Sequence, residues 1–560
     1  MPLTRRLITA LATTTVALAM VVTTASASSD FGAPILNFGT QGVTRYTPSG
    51  ATSADVEAMT VQPDGKILLV GSGPAPRLNW VARFLDNGLL DGDFASGGIY
   101  TFSRATYEQP SLRAIAVQPD NKILVGGGVV KDGKTQSLLI RLFGNGFEDT
   151  GFGQMAGFAT EVPDGDAESV SSIAVTGGTI VTAGDTLDGA ERKLTVRGYG
   201  LDGQPDATFT GNAAGAVNNR SIESIDGART RILKYGNSLR VVFASGEGNF
   251  SALALDQVGS KEFTYGANGT AGLGQGMSLG DAVLRADGGI VFTGSKHVVS
   301  QFDKVSLAGV DVNGTPVGGF GVDGTRTLTA SPDAHNKGVG LRTMSDGRLF
   351  ILAGAKPTIS PIGWANTIVT NENGDFDVDY GSGGVLSHVD LNDDFRPAAM
   401  ELQAKDQALV AGSGSTFESG ARYGLVAKLH GPDDIVPGSK ISSPKKSKNP
   451  AKKLKSFSGT ASPVDSVAKV EIALQRVDSK LLKKKKKCLW LSSNKAKFKQ
   501  VKAKKKKCST LRWLKASGTN KWSYKLKKSL PRGSYVLTVR ATGSNGVVQA
   551  KPSVQKFKVT

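Results

Sequence analysis

Short apolar runs bounded by turn residues recur along most of this chain. Ile67, Leu68, Leu69 and Val70 form one such run, too short for a helix and closed by glycines downstream, which predicts a buried strand. Just upstream, Ala58–Val61 is separated from it by a segment containing Asp64-Gly65. Asp and Gly both tolerate the positive φ of a primed turn, so the pair predicts a β-hairpin with a two-residue turn. The whole phrase VQPDGKILLVGSG, Val61–Gly73, returns as VQPDNKILVGGG at Val117–Gly128.

The same order of signals continues: a hairpin, a Gly-rich exit, a third apolar strand, then an aromatic turn. The third strand is WVARFLDNG from Trp80 and LLIRLFGNG from Leu138. The aromatic markers are Phe38, Phe94, Phe152, Phe209, Tyr265, Phe320 and Tyr380, spaced 55 to 60 residues apart. Weaker hairpin copies begin at Val175, Tyr235, Ala286, Ser345 and Lys405 in the same frame, which makes seven copies.

Units of this size with about four strands each predict propeller blades, because one small twisted sheet cannot bury both faces alone. An open solenoid would need polar caps at its ends. The phase of the chain points to closure instead. A lone strand, GVTRYT from Gly42, precedes the first hairpin, and GLVAKLHG, Gly424–Gly431, ends the last copy. The strand near Val43 is expected to complete the last blade and leave no long free edge. The Phe-Gly-x-x-Gly turn, the AVQPD(G/N)KILV phrase and the LxRxxxxG strand resemble the bacterial delta-60 repeat over roughly Asn37–Gly431. That resemblance implies a β-propeller in a secreted or surface-associated protein and transfers no catalytic residue.

With 560 residues, 70 of them Gly, the chain is long enough for more than one folded unit. Arg5 and Arg6 precede an apolar stretch from Leu7 to Val22 and a small-residue site, Ala25-Ser26-Ala27, which together read as a secretory signal over 1–27. The apolar stretch is shorter than the ~20 residues that span a bilayer, and no other spanning run follows. Expected boundaries are a seven-bladed propeller over 28–435, a Lys/Pro/Ser linker over 436–456 and a basic module over 457–560. The protein is expected to be secreted or extracellular, and possible association with the envelope follows from its charge.

That charge is divided sharply. Residues 440–560 carry 34 Lys plus Arg against Asp465, Glu471 and Asp478, a net +31, while the remaining 33 basic and 45 acidic residues net −12. In the basic part, VAKVEIALQRV from Val467, NKWSYKL from Asn520 and GSYVLTVRATGSNG from Gly533 alternate apolar and polar residues, as in a small sandwich. LPRGSYVLTVRATGSNG resembles the last strands of bacterial immunoglobulin-like domains, with Gly543 where Asp is usual. The fold class expected is therefore all-β: a seven-bladed β-propeller followed by a small Ig-like β-sandwich.

Cys488 and Cys508 are the only cysteines, and in an exported chain they predict a disulfide. Lys483, Lys484, Lys485, Lys486 and Lys487 run into the first, and Lys504, Lys505, Lys506 and Lys507 approach the second. Bridging would concentrate these nine cations into an anion-binding surface. Three readings stay open for it: a merely solvated insertion, a tether to an anionic envelope polymer, or a nucleic-acid surface using Trp490, Trp513 and Phe498 for stacking. Nucleic acid is the least favoured partner of an exported protein.

Catalytic patterns are scarce. His297, His335, His388 and His430 lack metal-ligand spacing. GMSLG around Ser278 matches a nucleophile-elbow string but lacks its strand-to-helix setting and reads as a Gly-rich loop. Asp375, Asp377 and Asp379, with Asn371 and Asn373, supply oxygen atoms of the kind Ca²⁺ takes, although the register is not that of an EF-hand and similar turns recur from Leu85 and Leu201. No cofactor is otherwise expected. Two classes of function remain: a non-enzymatic binding or scaffold protein with an unidentified protein or glycan ligand for the propeller, or a glycan-active hydrolase or lyase with its site at the propeller axis.

Overall fold

The computed structural model describes residues 31–560 apart from 50, 52, 74–78, 162–164, 210–220, 246–248, 275, 299–300, 359, 361, 389–393, 416–420, 433–437, 445–453, 463–466, 479–486, 503–507, 509–510, 544–547 and 550–551. The expected signal segment, most of the expected linker, and Lys483–Lys486 and Lys504–Lys507 lie outside the described residues.

Every described element is a strand except a single 3-10 turn at Ala404–Asp406. After β1 (Val43–Tyr46), the first repeat gives β2 (Asp55–Val61), β3 (Ile67–Ser72), β4 (Asn79–Phe84) and β5 (Ile99–Thr101), an antiparallel four-stranded sheet in chain order. The hairpin differs from expectation in its turn. Gly65 N–H donates to the Gln62 carbonyl at 2.9 Å and Gln62 N–H to the Lys66 carbonyl at 2.8 Å, so Pro63, Asp64 and Gly65 form a three-residue loop. Pro63 presets the φ of a type I turn, and Gly65, at φ 87°, supplies the left-handed residue that follows it.

The next repeats follow the same plan. The second has β6 (Glu108–Val117), β7 (Ile123–Lys131), β8 (Lys134–Leu142) and β9 (Phe158–Glu161); the third has β10 (Ala167–Thr176), β11 (Thr179–Asp188) and β12 (Glu191–Gly200). The long β13 (Ser221–Tyr235) serves two sheets, pairing first with β12 and then with β14 (Ser238–Ser245), which continues into β15 (Phe250–Leu255) and β16 (Thr270–Leu273). Two further sheets comprise β17 (Met277–Leu284), β18 (Ile290–Lys296), β19 (Lys304–Val310) and β20 (Thr325–Leu328), and then β21 (His335–Thr343), β22 (Leu349–Lys356), β23 (Trp364–Thr370) and β24 (Val385–Ser387). The last repeat supplies β25 (Arg396–Leu402), β26 (Ala408–Ser415) and β27 (Arg422–Leu429).

The recurring aromatic and Arg positions are joints between consecutive repeats. All seven aromatic markers are buried, at 3% exposure or less. The amide following the aromatic donates to a turn carbonyl of the next repeat: Gly39 to Asn87 and Ala95 to Asn145, both at 2.7 Å, and Gly266 to Asn313 at 2.8 Å. Arg83 lies 4.7 Å from the Phe94 ring centroid and bonds Asp91 at 2.8 Å, while its other end reaches the Gly144 carbonyl of the following repeat. Arg141, with Phe152, Asp149 and the Leu201 carbonyl, repeats the arrangement. Desolvation alone would raise the Asp91 carboxyl, but hydrogen bonds from Lys66 and the Asp93 amide, with the Arg83 charge, hold it below the ordinary carboxylate range. These charged residues of the repeated phrase are thus committed to holding neighbouring sheets together.

As expected, β1 pairs antiparallel with β27, Val43 opposite Ala427 and Tyr46 opposite Gly424, and so completes a four-stranded sheet β1-β27-β26-β25. No sheet closes on itself through hydrogen bonds. The first and last repeats nevertheless share one core, in which Val56, Met59, Leu69 and Trp80 meet Leu409, Ala411 and Val426. Polar contacts reinforce it: Arg422 holds Asp55 with bonds of 2.7 and 2.8 Å, and Ser413 Oγ accepts from the Val56 amide at 3.0 Å. The first strands are neighbours in the order β2, β6, β10, β13, β17, β21, β25 and back to β2.

Beyond Gly438 two further sheets enclose a separate core. One contains β28 (Gly438–Ser443), β29 (Ser456–Ser462) and β34 (Lys521–Lys525). The other runs β32 (Lys497–Lys502), β31 (Lys487–Ser493), β30 (Val467–Val477), β35 (Gly533–Gly543) and β36 (Ser553–Val559), with the short β33 (Leu514–Lys515) on β30. Phe457, Ile472, Leu474, Trp522, Tyr535 and Leu537 fill the space between them. Strand β28 lies inside the stretch expected to be linker. Its Lys and Ser content reads as solvated, yet it pairs with β29 and buries Ser439, whose hydroxyl donates to the Val539 carbonyl at 3.1 Å. Cys488 and Cys508 form a disulfide next to Trp490, with Val501, Leu511 and Trp513 packed against them.

Candidate functional site

Each first strand is interrupted at least once, β6 having a second break between Glu108 and Ser111. Pairing to the second strand skips between Val56 and Ala58 in β2, Leu112 and Ala114 in β6, Val170 and Ser172 in β10, and Ile225 and Thr230 in β13. It skips again between Leu279 and Asp281 in β17, Gly338 and Gly340 in β21, and Pro397 and Ala399 in β25. A β-bulge leaves its extra residue outside the ladder and re-aims it. The extra residues Glu57, Arg113, Ser171, Gly280, Val339 and Ala398, together with Arg229 from the four-residue break in β13, all line one cavity of ≈ 810 Å³. This ring of bulges is the best-defined candidate site.

Most charges around the cavity are already matched. Asp55 is held by Arg422. Arg342, largely buried at the cavity wall, donates to Asp281 at 2.6 Å and grips Glu401 with bonds of 3.0 and 2.6 Å; Arg231 lies 3.4 Å from the other Asp281 oxygen. Burial alone would push the Asp281 carboxyl up, but Arg231 and Arg342 hold it below its ordinary range. Asp281 also accepts from the Leu341 amide at 3.1 Å, so it braces the neighbouring bulge.

Four groups are left unneutralised by such pairs. Glu57, Arg113 and Arg229 line the cavity, Lys337 is exposed on β21 within reach of the Arg229 charge, and none of the four has a carboxylate–cation contact within ion-pairing distance among the described residues. Arg113 touches Ser111 Oγ at 3.4 Å and Arg229 touches the Gly280 carbonyl at 3.4 Å. Desolvation raises the Glu57 carboxyl, an effect partly offset by Arg113 and Arg229. Desolvation, together with the Arg229 charge, lowers the Lys337 ammonium. Ser171 and Thr230 add a pair of hydroxyls 2.8 Å apart. Such a lining can bind oxygen-rich or charged small molecules; the accessible carboxyl also gives it one group able to exchange a proton.

The residues singled out from sequence are elsewhere. Ser278 lies within β17, its hydroxyl 2.7 Å from that of Ser295, so GMSLG is strand and not the expected loop. His388 is buried against the Thr367 hydroxyl at 2.7 Å, and burial lowers its pKa to about 4. His297 and His335 both contact Asp303, at 2.8 and 3.0 Å, although their spacing gave no hint of it. In the turn after β23, Asp375 bonds Arg326 and Asp377 bonds Arg348 at 2.5 Å, while Asn371 Oδ1 accepts the amides of Asn373 and Asp375 at 2.9 Å. Among the described residues no group of three His, Cys, Asp or Glu is placed to hold a metal ion. Of the nine lysines beside the cysteines, only Lys487 is described, and it is exposed.

The bulge ring itself was not foreseen. Glu57 and Gly65, Arg113 and Asn121, Gly280 and Gly288, Val339 and Gly347, and Ala398 and Asp406 are each eight residues apart, the second member being a turn residue with positive φ. A position of fixed phase whose chemistry changes from copy to copy was therefore available as a signal.

A family model described as a domain of unknown function (DUF5122) beta-propeller matches residues 118–152, the segment from the end of β6 to the Phe152 turn. No curated protein matches the chain. Among solved structures, Drosophila Semaphorin 2a is similar at 7% identity, covering 93% of this chain and 97% of that one, with a TM-score of 0.38. A Trypanosoma rangeli sialidase in complex with sialic acid is similar at 12% identity over 92% of this chain and 88% of that one, TM-score 0.32. The PQQ-bound aldose sugar dehydrogenase of Streptomyces coelicolor is similar at 11% identity over 58% and 96%, TM-score 0.34. Likenesses this remote carry no argument about the site. Among the described residues no helix is long and apolar enough to cross a membrane.

Proposed function

We propose that this protein is an exported, non-enzymatic binding protein of two parts. A seven-bladed propeller, closed by the β1 clasp, presents the bulge-lined cavity to a ligand, and an Ig-like sandwich rich in lysine tethers the chain to an anionic envelope polymer. The observation that carries the reading is the ring of bulges: first strands from every repeat, in cyclic order, each turn a residue from a break in the ladder into the same cavity. Repeats built only to pack against each other would gain nothing from chemically different residues at that one phase.

The Ig-like reading draws support from Tyr535 near the start of β35, whose hydroxyl donates to the Pro531 carbonyl at 2.6 Å, as a tyrosine corner does. Export is supported by the disulfide and by the apolar leader with its small-residue cleavage site. The tether follows from the net +31 carried by residues 440–560. Its test is retention of the full chain on purified anionic wall polymer across a salt series. Retention at low salt that fades as salt rises, and that drops when the lysines at 483–487 and 504–507 become Gln, supports it. Absence of retention at low salt removes it.

A further inference from the structure

Subtracting the matched charges leaves the cavity with a definite sign. Arg422 cancels Asp55, and Arg342 with Arg231 cancels Asp281 with Glu401. Two lining cations, Arg113 and Arg229, then remain against one carboxylate, Glu57, an excess of one positive charge among the described residues of the lining, with Lys337 close to Arg229. Outside residues 440–560 the chain nets −12, so this excess runs against the charge of the body that contains it. Holding like charges together in a concave, partly desolvated space is unfavourable unless an opposite charge enters it.

Geometry adds to the sign. Arg113 and Arg229 come from β6 and β13, so the two cations approach from different repeats. Arg113 lies at a one-residue bulge, a backbone device that fixes where the side chain departs, and Arg229 ends the four-residue break in β13, next to the paired Thr230. Ser111, Ser171 and Thr230 place hydroxyls in the same lining, and the accessible Glu57 is an acceptor for ligand hydroxyls. The ≈ 810 Å³ volume suits a small ligand rather than a chain segment of a folded partner.

We infer that the bulge-ring cavity binds a small hydroxylated oxyanion, with Arg113 and Arg229 taking its carboxylate or phosphate group and Glu57 accepting from its hydroxyls. This deepens the reading of the propeller as a binding module and identifies the ligand by charge and size. The arginine guanidinium matches either oxyanion in a planar, two-pronged fashion, so both sources of negative charge are included in the test.

The experiment is isothermal titration of the full chain with glucuronate, with inorganic phosphate and with glucose. Binding of glucuronate or phosphate that weakens with salt, exceeds glucose binding, and falls at least tenfold in both Arg113→Gln and Arg229→Gln supports the inference. Which of the two anions binds identifies the source of the charge. Arg45→Gln, on the clasp strand, serves as the control that leaves binding unchanged, and the melting temperature of each variant reports whether folding is intact. Binding of neither anion by the native chain, equal binding of glucose, or binding unaffected by both cavity variants overturns it. Because the ligands are free in solution, this result is independent of wall-polymer retention: tethering can survive a null titration, and a positive titration can survive a failed tether.

Discussion

Gly88 sits at the exit of β4, where the first repeat leans on the amino-terminal clasp, and changing it to Ala isolates the strength of that joint. Its φ is 82°, and an added Cβ would lie 2.7 Å from Thr44 Oγ1, 2.9 Å from the Gly39 amide nitrogen and 2.9 Å from Phe38 Cε1. Gly133, in the β7–β8 turn, has a similar φ of 75°, but nothing lies within 4 Å of its would-be Cβ. Ala in the left-handed region costs roughly 1–2 kcal/mol, offset by about 0.4–1 kcal/mol of lost unfolded-chain entropy. Gly133→Ala is therefore expected to lose about 1 kcal/mol. Gly88→Ala carries the same strain plus about 1–3 kcal/mol of overpacking, because two of its three neighbours are backbone or an anchored ring. Guanidinium titrations followed by tryptophan fluorescence, compared at constant slope, give the difference. An excess destabilisation of about 2 kcal/mol in Gly88→Ala is expected. Equal midpoints for the two variants would refute the docking of the clasp described above.

His388 makes the fold acid-sensitive. Its folded pKa of about 4 lies below the ordinary 6.5, so the unfolded chain takes up the proton first as pH falls. Stability should be untouched above pH 7 and decline between about 6.5 and 4, by up to about 3 kcal/mol; His388→Gln should flatten that slope in denaturation series at several pH values. Glu168 and Arg197 form a buried pair at 2.6 and 2.5 Å, and Arg197→Met alone should cost about 3–5 kcal/mol, with most of that recovered when Glu168→Leu is added. Replacing both cysteines by Ser should cost about 3 kcal/mol by the chain-entropy account of a bridge 20 residues apart, read as a lower unfolding midpoint of the basic module.

Local chemistry made the strands legible. Apolar runs such as Ile67–Val70, punctuated by Asp64-Gly65, specify a hairpin wherever they occur, because strand burial and turn conformation depend on near neighbours in the chain. The pairing of β1 with β27 was legible for a related reason: a strand missing at one end and surplus at the other leaves an edge that only the two ends can satisfy. Charge and cysteine content likewise set the basic module apart. The Lys-rich composition hid β28, since a strand on the surface of a sandwich needs only alternate residues buried.

What the tertiary structure decided is which charged residues are free. Arg83 and Arg113 look alike as sequence, each following an apolar strand position. One is enclosed between a ring and a carboxylate, and the other is turned outward by a bulge. The bulge arises from register against the next strand, and the cavity from repeats hundreds of residues apart meeting around it, as Val56 meets Ser413. Local sequence fixes conformation, but the sum of charge at a point in space depends on every strand that reaches it. Only the folded ring brings Glu57, Arg113, Arg229 and Lys337 into one field.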